Sequence, residues 1–218
     1  MSAVSPGRLV ALEGVDGCGK TTQARRLADA LGAVLTHEPG ATPLGAALRR
    51  ILLHGEPAEP RTPPAAPVPR AEALLMAADR AQHVAAVVRP ALEAGRWVVT
   101  DRFAGSTLAY QGYGRGLALD GLRAMVDWAT DGLTPDLSVL IDILPADARA
   151  RLASVAPDRL ERLDEAFFDR VRQGYLALAR EDRVHWVVID GDAAPDAVAA
   201  AVLDAVRSRL GAASGTRA

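Results

Sequence analysis

Residues 14–21, with the sequence Gly-Val-Asp-Gly-Cys-Gly-Lys-Thr, constrain this chain more than any other stretch. They match the pattern G-x-x-x-x-G-K-[ST] at every fixed position. In this pattern the glycines let backbone N–H groups point at phosphate oxygens, and the helix that follows adds the positive end of its dipole. Because the loop must join a buried strand to a helix, it predicts an α/β fold that binds a nucleoside triphosphate.

Lys20 is the only lysine in the chain. Lysine and arginine together number 25, and all of these residues except Lys20 are arginines. A compact ammonium on a flexible stem can follow a moving phosphoryl group, whereas a planar guanidinium is wider and prefers bidentate partners. The alternative is a glycine-rich turn with one lysine by chance. The predicted strand before the loop and helix after it favour the triphosphate site.

Five short apolar runs predict β-strands, at residues 8–13, 33–36, 97–100, 136–142 and 184–189. Apolar residues at helical spacing fill the stretches between them and predict helices at 21–31, up to about 53, 70–94, 119–129, up to about 178, and 196–210. Strands alternating with helices predict a five-stranded parallel sheet with helices on both faces. We expect one domain over 1–218, with Pro90 kinking its helix or ending a turn.

Three segments are predicted to be irregular. Residues 56–69 hold six of the fourteen prolines and predict an extended surface loop. Residues 103–116 are rich in hydroxyl groups, amides and glycine, which is typical either of a segment that reads polar groups at close range or of an ordinary loop. The last eight residues, 211–218, are predicted to be a frayed tail.

Composition excludes several classes of protein. The net charge of −2, without basic runs interleaved with aromatic residues, argues against a nucleic-acid binder. One cysteine and four scattered histidines provide neither an intrachain disulfide nor a zinc-like spacing. The sequence contains no apolar stretch long enough to cross a membrane and no leader-like N-terminus, so a cytoplasmic protein is expected.

The chain contains, in this order, the stretches LEGVDGCGKTTQ, HEPGATPLG, AADRAQHV, VVTDRF, STLAYQGYGRGL, GLTPDL and DRLERLDEAFFDRVRQGYLAL. In their order and approximate spacing they resemble the bacterial thymidylate kinases, a family of nucleoside monophosphate kinases with the P-loop fold. The resemblance covers nearly the whole chain. It implies transfer of the γ-phosphoryl group of ATP to dTMP with Mg²⁺, a short lid at about 145–160 and a homodimer.

The resemblance also assigns the donor side. The ATP-binding residues would be those of the loop and the start of its helix: Gly14, Val15, Asp16, Gly17, Cys18, Gly19, Lys20, Thr21 and Thr22. The Thr21 hydroxyl is a natural Mg²⁺ ligand, and Asp101 would join the metal shell. Cys18 lies where small residues are needed, and oxidative control through it would be a secondary possibility.

On the acceptor side, the resemblance implies that Arg102 and Arg49 bind the acceptor phosphate and that Glu38 is the acid of the catalytic loop. Asp16 would meet the 3′-hydroxyl group and Tyr110 would crowd the sugar where a ribose 2′-hydroxyl would lie. The base would contact Met76, Arg80, Thr107 and Gln111. From the residues alone, Arg49 and Arg80 are better read as surface ion pairs.

Two departures from the family pattern matter. Met76 stands where the family usually has a phenylalanine that stacks on thymine, so planar stacking is lost although an apolar contact remains. Gly17 stands where some relatives have an arginine in the loop, and family members with glycine at this position supply their transition-state arginines from the lid instead. The lid here, ARARLASVAPDRLE, leaves Arg149, Arg151 and Arg159 as candidates, with Arg151 the first choice and Arg159 the second.

The sequence leaves two alternative functions open and excludes a third. A kinase for another nucleoside monophosphate stays open because of Met76. A degenerate, non-catalytic nucleotide-binding protein stays open because the lid has few arginines, although Lys20, Thr21, Asp101 and Arg102 argue against it. A GTPase switch is excluded, because its guanine-reading Asn-Lys-x-Asp motif needs a second lysine.

Overall fold

The computed structural model describes residues 7–53, 66–152 and 158–211. Its five strands are β1 (Leu9–Glu13), β2 (Val34–His37), β3 (Val98–Asp101), β4 (Leu137–Asp142) and β5 (Trp186–Asp190). They form one sheet in the order β2-β3-β1-β4-β5, and every neighbouring pair is parallel. The predicted five-stranded parallel sheet is therefore confirmed.

The described residues form nine α-helices and two π-helical segments. The α-helices are α1 (Lys20–Leu31), α2 (Pro43–Leu53), α3 (Pro69–His83), α4 (Arg89–Glu93), α5 (Ala104–Thr107), α6 (Leu119–Thr130), α7 (Pro145–Arg151), α8 (Glu165–Glu181) and α9 (Pro195–Leu210). The π-helical segments are π1 (Val84–Val88), between α3 and α4, and π2 (Leu108–Gly114), after α5.

The two faces of the sheet are covered by different helices, because successive strand residues point to opposite sides. On one face, Val10 and Leu12 pack in the main core with residues of α1 and α9, such as Leu27 and Val202. On the other face, Leu9 and Ala11 pack with Val84 and Val88 of π1. Fully buried strands of this kind are typical of a parallel sheet between helical layers.

Each strand ends at its carboxyl end with a titratable residue: Glu13, His37, Asp101, Asp142 and Asp190. Because all strands are parallel, these ends lie at the same edge of the sheet. The glycine loop leaves β1 at this edge, which is where open α/β sheets bind their ligands. The fold therefore brings the chemistry of the chain to one side.

The prediction for residues 103–116 needs correction, and the structure also shows how the helix around Pro90 is built. Residues 104–114 are helical, as α5 followed by π2, so the interpretation of 103–116 as an ordinary loop is wrong. The helix predicted at 70–94 continues through Pro90, because the wide turn of π1 directly precedes it and Arg89 N–H donates to the Val84 carbonyl. A proline removes one N–H donor, and it is best tolerated at the first turn of a helix, where α4 holds it.

Other predictions lie partly outside the described residues. Of the proline-rich segment 56–69, the structure describes 66–69, and α3 already begins at Pro69. Of the tail 211–218, only Gly211 is described. Among the described residues, no helix is long and apolar enough to span a membrane.

Candidate active site

The glycine loop between β1 and α1 has the backbone that its sequence requires. Gly17 and Gly19 have φ angles of 83° and 96°, a region that residues with a Cβ rarely adopt. A Cβ atom on Gly17 would also lie 2.2 Å from the Ala148 carbonyl oxygen of α7. Glycine at position 17 therefore lets α7, which lies in the segment predicted to be the lid, lie directly against the glycine loop.

Lys20 begins α1 and is 5% exposed. Its Nζ atom donates to the Val15 carbonyl oxygen at 2.7 Å and lies 3.9 Å from Asp16 Oδ1. The loop thus holds the ammonium group by one of its own carbonyls. A phosphate oxygen in the loop would be a stronger acceptor than that carbonyl, because the hydrogen bond would then join two charged groups.

Thr21 and Asp101 meet at the metal site that the sequence predicts. Thr21 Oγ1 donates to Asp101 Oδ2 at 2.5 Å, and Asp101 Oδ1 is buried without a hydrogen-bond partner among the described residues. A buried carboxylate oxygen without a partner is costly unless a cation or water satisfies it. No cluster of three or more His, Cys, Asp or Glu side chains suited to a metal occurs in the described parts of the chain. A threonine hydroxyl and a carboxylate oxygen are donors that suit Mg²⁺, which completes its shell with waters and substrate phosphates.

Two cavities open at the carboxyl edge of the sheet. The donor cavity is lined by the glycine loop together with Lys20, Thr21, Asp101 and Arg151. The acceptor cavity lies beside it between α3 and π2, and all eight residues predicted to bind the acceptor line it: Asp16, Arg49, Met76, Arg80, Arg102, Thr107, Tyr110 and Gln111. Asp16, Glu38, Arg49 and Arg102 line both cavities.

Arg102 lies at the junction of the two cavities, just after β3, with a φ angle of 74°. Its guanidinium donates to Asp16 at 2.5 Å and to the hydroxyl oxygens of Ser106, Tyr110 and Tyr175 at 3.0–3.1 Å. This non-glycine residue is held in a sparsely populated backbone region, which requires strong support from its surroundings. The hydroxyl groups can give way to a phosphate, because they are neutral partners.

Asp16 is the carboxylate partner of this arginine. Tyr110 donates its hydroxyl proton to Asp16 Oδ2 at 2.8 Å. Burial alone would raise the pKa of Asp16, but the Arg102 guanidinium and the Lys20 ammonium hold that pKa well below its usual range. Asp16 is therefore ionised and accepts hydrogen bonds only, as a ligand for a sugar hydroxyl should.

Arg80 connects the acceptor cavity to the end of β2. Its three nitrogens donate to Glu38 Oε2 (2.8 Å), Thr107 Oγ1 (2.8 Å) and the Phe103 carbonyl (2.9 Å). Glu38 in turn bonds His83 Nδ1 at 2.8 Å through its second oxygen. Arg80 is almost fully buried, so its interpretation from residues alone as a surface ion pair is wrong.

The remaining predicted acceptor residues lie around this cluster. Arg49 on α2 donates to the Pro39 carbonyl at 2.9 Å. Met76 lies one helical turn before Arg80 on α3 and packs against the buried cluster of Leu52, Leu53 and Leu160. Met76 is therefore both a cavity residue and a packing residue, so the two readings of it do not exclude each other.

The comparisons with known proteins agree with this geometry. The family model described as thymidylate kinase matches residues 12–202. The chain belongs to the thymidylate kinase family. It is 46% identical to the thymidylate kinase of Prochlorococcus marinus (strain MIT 9303) over 217 residues, covering 94% of this chain and 96% of that protein. It is 48% identical to that of Bifidobacterium longum (strain NCC 2705) over 202 residues, covering 90% and 95%.

A solved structure shows the same fold. The crystal structure of thymidylate kinase from Ehrlichia chaffeensis superposes with a TM-score of 0.73 at 28% identity, covering 92% of this chain and all of that one. The P-loop fold expected from the glycine loop is thus shared with a thymidylate kinase of distant sequence.

The two lid arginines expected of this thymidylate kinase family member lie in different places. Arg151, at the end of α7, lines the donor cavity and donates to the Gly191 carbonyl at 3.1 Å. Arg159 does not line the donor cavity and donates to the Leu52 carbonyl at 2.7 Å and to Glu72 at 2.8 Å. The structure therefore brings Arg151, and not Arg159, to the phosphate loop.

Several buried polar residues of the site were missed from the sequence. Glu13, Glu72, His83, Ser106 and Tyr175 are buried and bond residues that line the acceptor cavity. One signal was available for two of them, because Glu72 and His83 share the helical face of Met76 and Arg80 on α3. Glu13 was visible only as a charged residue ending an apolar strand.

Proposed function

We propose that this chain phosphorylates dTMP with ATP, producing dTDP and ADP in the route to dTTP. The observation that carries the proposal is the junction of two cavities at Asp16, Glu38, Arg49 and Arg102. One cavity contains a triphosphate loop, and the other is lined by buried hydrogen-bonding side chains such as Arg80, Thr107 and Gln111. Phosphoryl transfer needs its two substrates held in line with their charge neutralised, and a shared arginine-lined wall supplies both.

Each cavity has residues for its own substrate. In the donor cavity, the backbone of 14–21 and Lys20 hold the ATP phosphates, and Arg151 reaches the group being transferred. In the acceptor cavity, Arg102 and Arg49 bind the dTMP phosphate, and Glu38 anchors the neighbouring Arg80. The family resemblance makes Arg159 a candidate catalytic residue, but we assign it a structural role, because it holds Glu72 next to the acceptor cavity.

The sugar and base are read by the rest of the acceptor cavity. Tyr110 and Asp16 lie together where the sugar enters, so Tyr110 leaves no room for a 2′-hydroxyl group and Asp16 accepts from the 3′-hydroxyl. Arg80, Thr107 and Gln111 face the base, with Met76 as its apolar contact. A site built from such donors and acceptors discriminates by the polar groups that a wrong base leaves unpaired.

Thr21 and Asp101 would hold Mg²⁺ with ATP. When bound, the ion neutralises charge on the donor phosphates. We further propose a cytoplasmic homodimer, as in the family. The exposed apolar side chains of α3 and α6, including Leu74 (61% exposed) and Trp128 (85% exposed), offer a surface for a second copy. The molar mass in solution, measured by light scattering, tests the dimer.

A coupled kinase assay tests the activity. With ATP and Mg²⁺, dTMP, dUMP, dCMP, GMP and AMP are offered separately, and kcat/KM is expected to be highest for dTMP. A higher value for any other acceptor would assign a different monophosphate kinase. Turnover with none of them, in protein that binds ATP, would make the chain a non-catalytic nucleotide-binding protein.

A further inference from the structure

Glu72 of α3 is a buried carboxylate that touches the cavity only through other side chains. It is 0% exposed and accepts four hydrogen bonds. Gln111 Nε2 (2.9 Å) and Arg115 Nε (3.2 Å) donate to Oε1, while Arg115 Nη2 (2.9 Å) and Arg159 Nη2 (2.8 Å) donate to Oε2. Both oxygens are thus fully used, and the residue has no capacity left for a ligand.

These bonds leave Gln111 only one orientation. Burial alone would raise the pKa of Glu72, but the hydrogen bonds from Arg115, Gln111 and Arg159 lower that pKa below its usual value. An ionised carboxylate has no proton to donate, so the Gln111 NH₂ group must face it. The usual ambiguity between the two ends of a glutamine amide is therefore removed by chemistry.

The other end of the amide faces the acceptor cavity. Gln111 lines that cavity, and no hydrogen bond to its carbonyl oxygen occurs among the described residues. A carbonyl oxygen accepts hydrogen bonds and cannot donate them. The cavity wall at this position therefore requires an N–H on the base.

We infer that Glu72 is a positioning residue for base selection: by fixing the Gln111 amide, it makes the cavity select pyrimidines with a protonated N3, as in thymine and uracil, over cytosine. Cytosine has an acceptor at N3, so its N3 lone pair would face the Gln111 carbonyl oxygen. The inference rests on the proposed function, because it assumes that a pyrimidine monophosphate occupies the acceptor cavity.

Glu72→Gln tests the inference because it changes the donor pattern with little change in shape. The introduced side chain has one acceptor oxygen, which Arg115 Nη2 and Arg159 Nη2 share, and an NH₂ group in place of Oε1, where the longer bond from Arg115 Nε (3.2 Å) is lost. Its NH₂ group then faces Gln111, whose amide turns round and presents its own NH₂ group to the cavity. In the variant, the Gln111 NH₂ group can donate to N3 of cytosine, which is a hydrogen-bond acceptor.

The measured quantity is the ratio of kcat/KM for dUMP to that for dCMP, in wild type and variant. Neither dUMP nor dCMP has a 5-methyl group, so the two acceptors differ only in the hydrogen-bonding groups at N3 and C4 of the base. The ratio does not depend on the fraction of active enzyme. We expect the ratio to fall about tenfold or more in Glu72→Gln, since an unmatched buried hydrogen bond is exchanged for a matched one. An unchanged ratio would overturn the inference.

Two further variants separate positioning from general damage. Asp136→Asn weakens another carboxylate that holds an arginine, Arg8 at 2.6 Å, at the opposite edge of the sheet. It should lower stability and leave the ratio unchanged. In a Gln111→Leu background, Glu72→Gln should have no further effect on the ratio; additive effects would show that Glu72 does not act through Gln111.

Glu72→Asp keeps the charge but moves the carboxylate away from Gln111. This variant replaces Glu72→Gln as the test if Glu72→Gln does not fold. The ratio is expected to fall here too, by less, and an unchanged ratio would again reject the inference. Wild-type turnover of dTMP in the same experiment tests the proposed function separately. Wild type that phosphorylates dTMP, with variants of unchanged ratio, would refute only the role of Glu72.

Discussion

The donor and acceptor cavities differ in how their charged groups are satisfied. In the donor cavity, Lys20 donates to a backbone carbonyl, Arg151 donates to the Gly191 carbonyl and, at 3.4 Å, to Asp192, and one oxygen of Asp101 has no partner among the described residues. In the acceptor cavity, Arg102 and Arg80 are each held by several side chains. The donor side has bonding capacity that ATP and a cation would fill, whereas the acceptor side is organised before its substrate arrives.

This difference predicts which changes affect activity alone. A preorganised site keeps its geometry through internal bonds, so removing one of its members disturbs both folding and binding. A site whose groups have weak partners loses little stability when one is removed, although it loses catalysis. The donor cavity should therefore separate activity from stability, and the acceptor cavity should couple them.

Lys20→Met should have the largest effect on activity. We expect kcat to fall about a thousandfold, because the only lysine supplies the charge along the donor phosphates. The free energy of unfolding should change by less than about 1 kcal/mol. The variant loses the hydrogen bond to the Val15 carbonyl and the 3.9 Å ion pair with Asp16, but it no longer buries a charge. Steady-state kinetics and urea denaturation of the same preparation measure both quantities.

Arg102→Gln provides the contrast on the acceptor side. It should raise KM for dTMP, lower kcat and also lower the free energy of unfolding by about 1–3 kcal/mol, because Asp16 and three hydroxyl groups lose their common donor. If Arg102→Gln were as stable as wild type, or Lys20→Met strongly destabilised, the proposed division between the cavities would fail.

The donor and acceptor cavities also differ in how much of each could be predicted from the sequence. Residues 14–21 are contiguous and their backbone is the site, so pattern alone predicts the donor cavity, the adjoining strand and the helix. The acceptor cavity gathers residues from the glycine loop, from α2, α3, α5 and π2, and from the turns after β2 and β3. The acceptor-binding roles of these residues were predicted only through family resemblance. Glu13, Glu72 and His83 were missed because they contact other side chains of the site, and no local pattern encodes such contacts. Arg80 was misread from the residues because its burial depends on tertiary packing against Glu38 and Phe103.

The two lid arginines test the boundary between the cavities. Arg151→Ala should lower kcat about a hundredfold with little change in KM for dTMP, because Arg151 lines the donor cavity. Arg159→Ala should change kcat by a few-fold at most and lower stability by about 1 kcal/mol, because Glu72 loses one of its donors. Near-normal turnover in both variants would remove the lid from catalysis, and a larger kcat effect at Arg159 would reverse the assignment.

Glu13→Gln tests the support beneath Arg102 through pH. Glu13 is fully buried and accepts from Phe103 N–H, Ser106 and Tyr175; burial raises the pKa of its carboxyl group, although Ser106 and Arg102 oppose the shift. The folded chain therefore holds this proton more tightly than the unfolded chain. The stabilisation is fully present below the unfolded pKa of about 4.3 and is lost as pH rises through the folded pKa.

The stability of wild type relative to Glu13→Gln should thus decrease from pH 4.5 towards neutrality, by about 1.4 kcal/mol for each unit that separates the folded and unfolded pKa values. Denaturation midpoints of both proteins over this pH range measure it. A difference that stays constant, or that grows with pH, would mean that Glu13 is ionised in the folded chain throughout.

Met76→Phe should have the smallest effect. It restores the phenylalanine that the family usually has at this position, where its ring stacks on thymine. Met76 lines the cavity one turn before Arg80, so a phenylalanine there would present a flat ring to the base. Stacking of this kind contributes about 0.5–1.5 kcal/mol, which lowers KM for dTMP about threefold without changing kcat. Met125→Phe is the matched control, since Met125 packs on α6 outside both cavities. An unchanged KM in Met76→Phe would mean that this side chain packs against Leu52 and Leu160 without touching the base. Recognition of the base would then depend only on the polar side chains of the acceptor cavity.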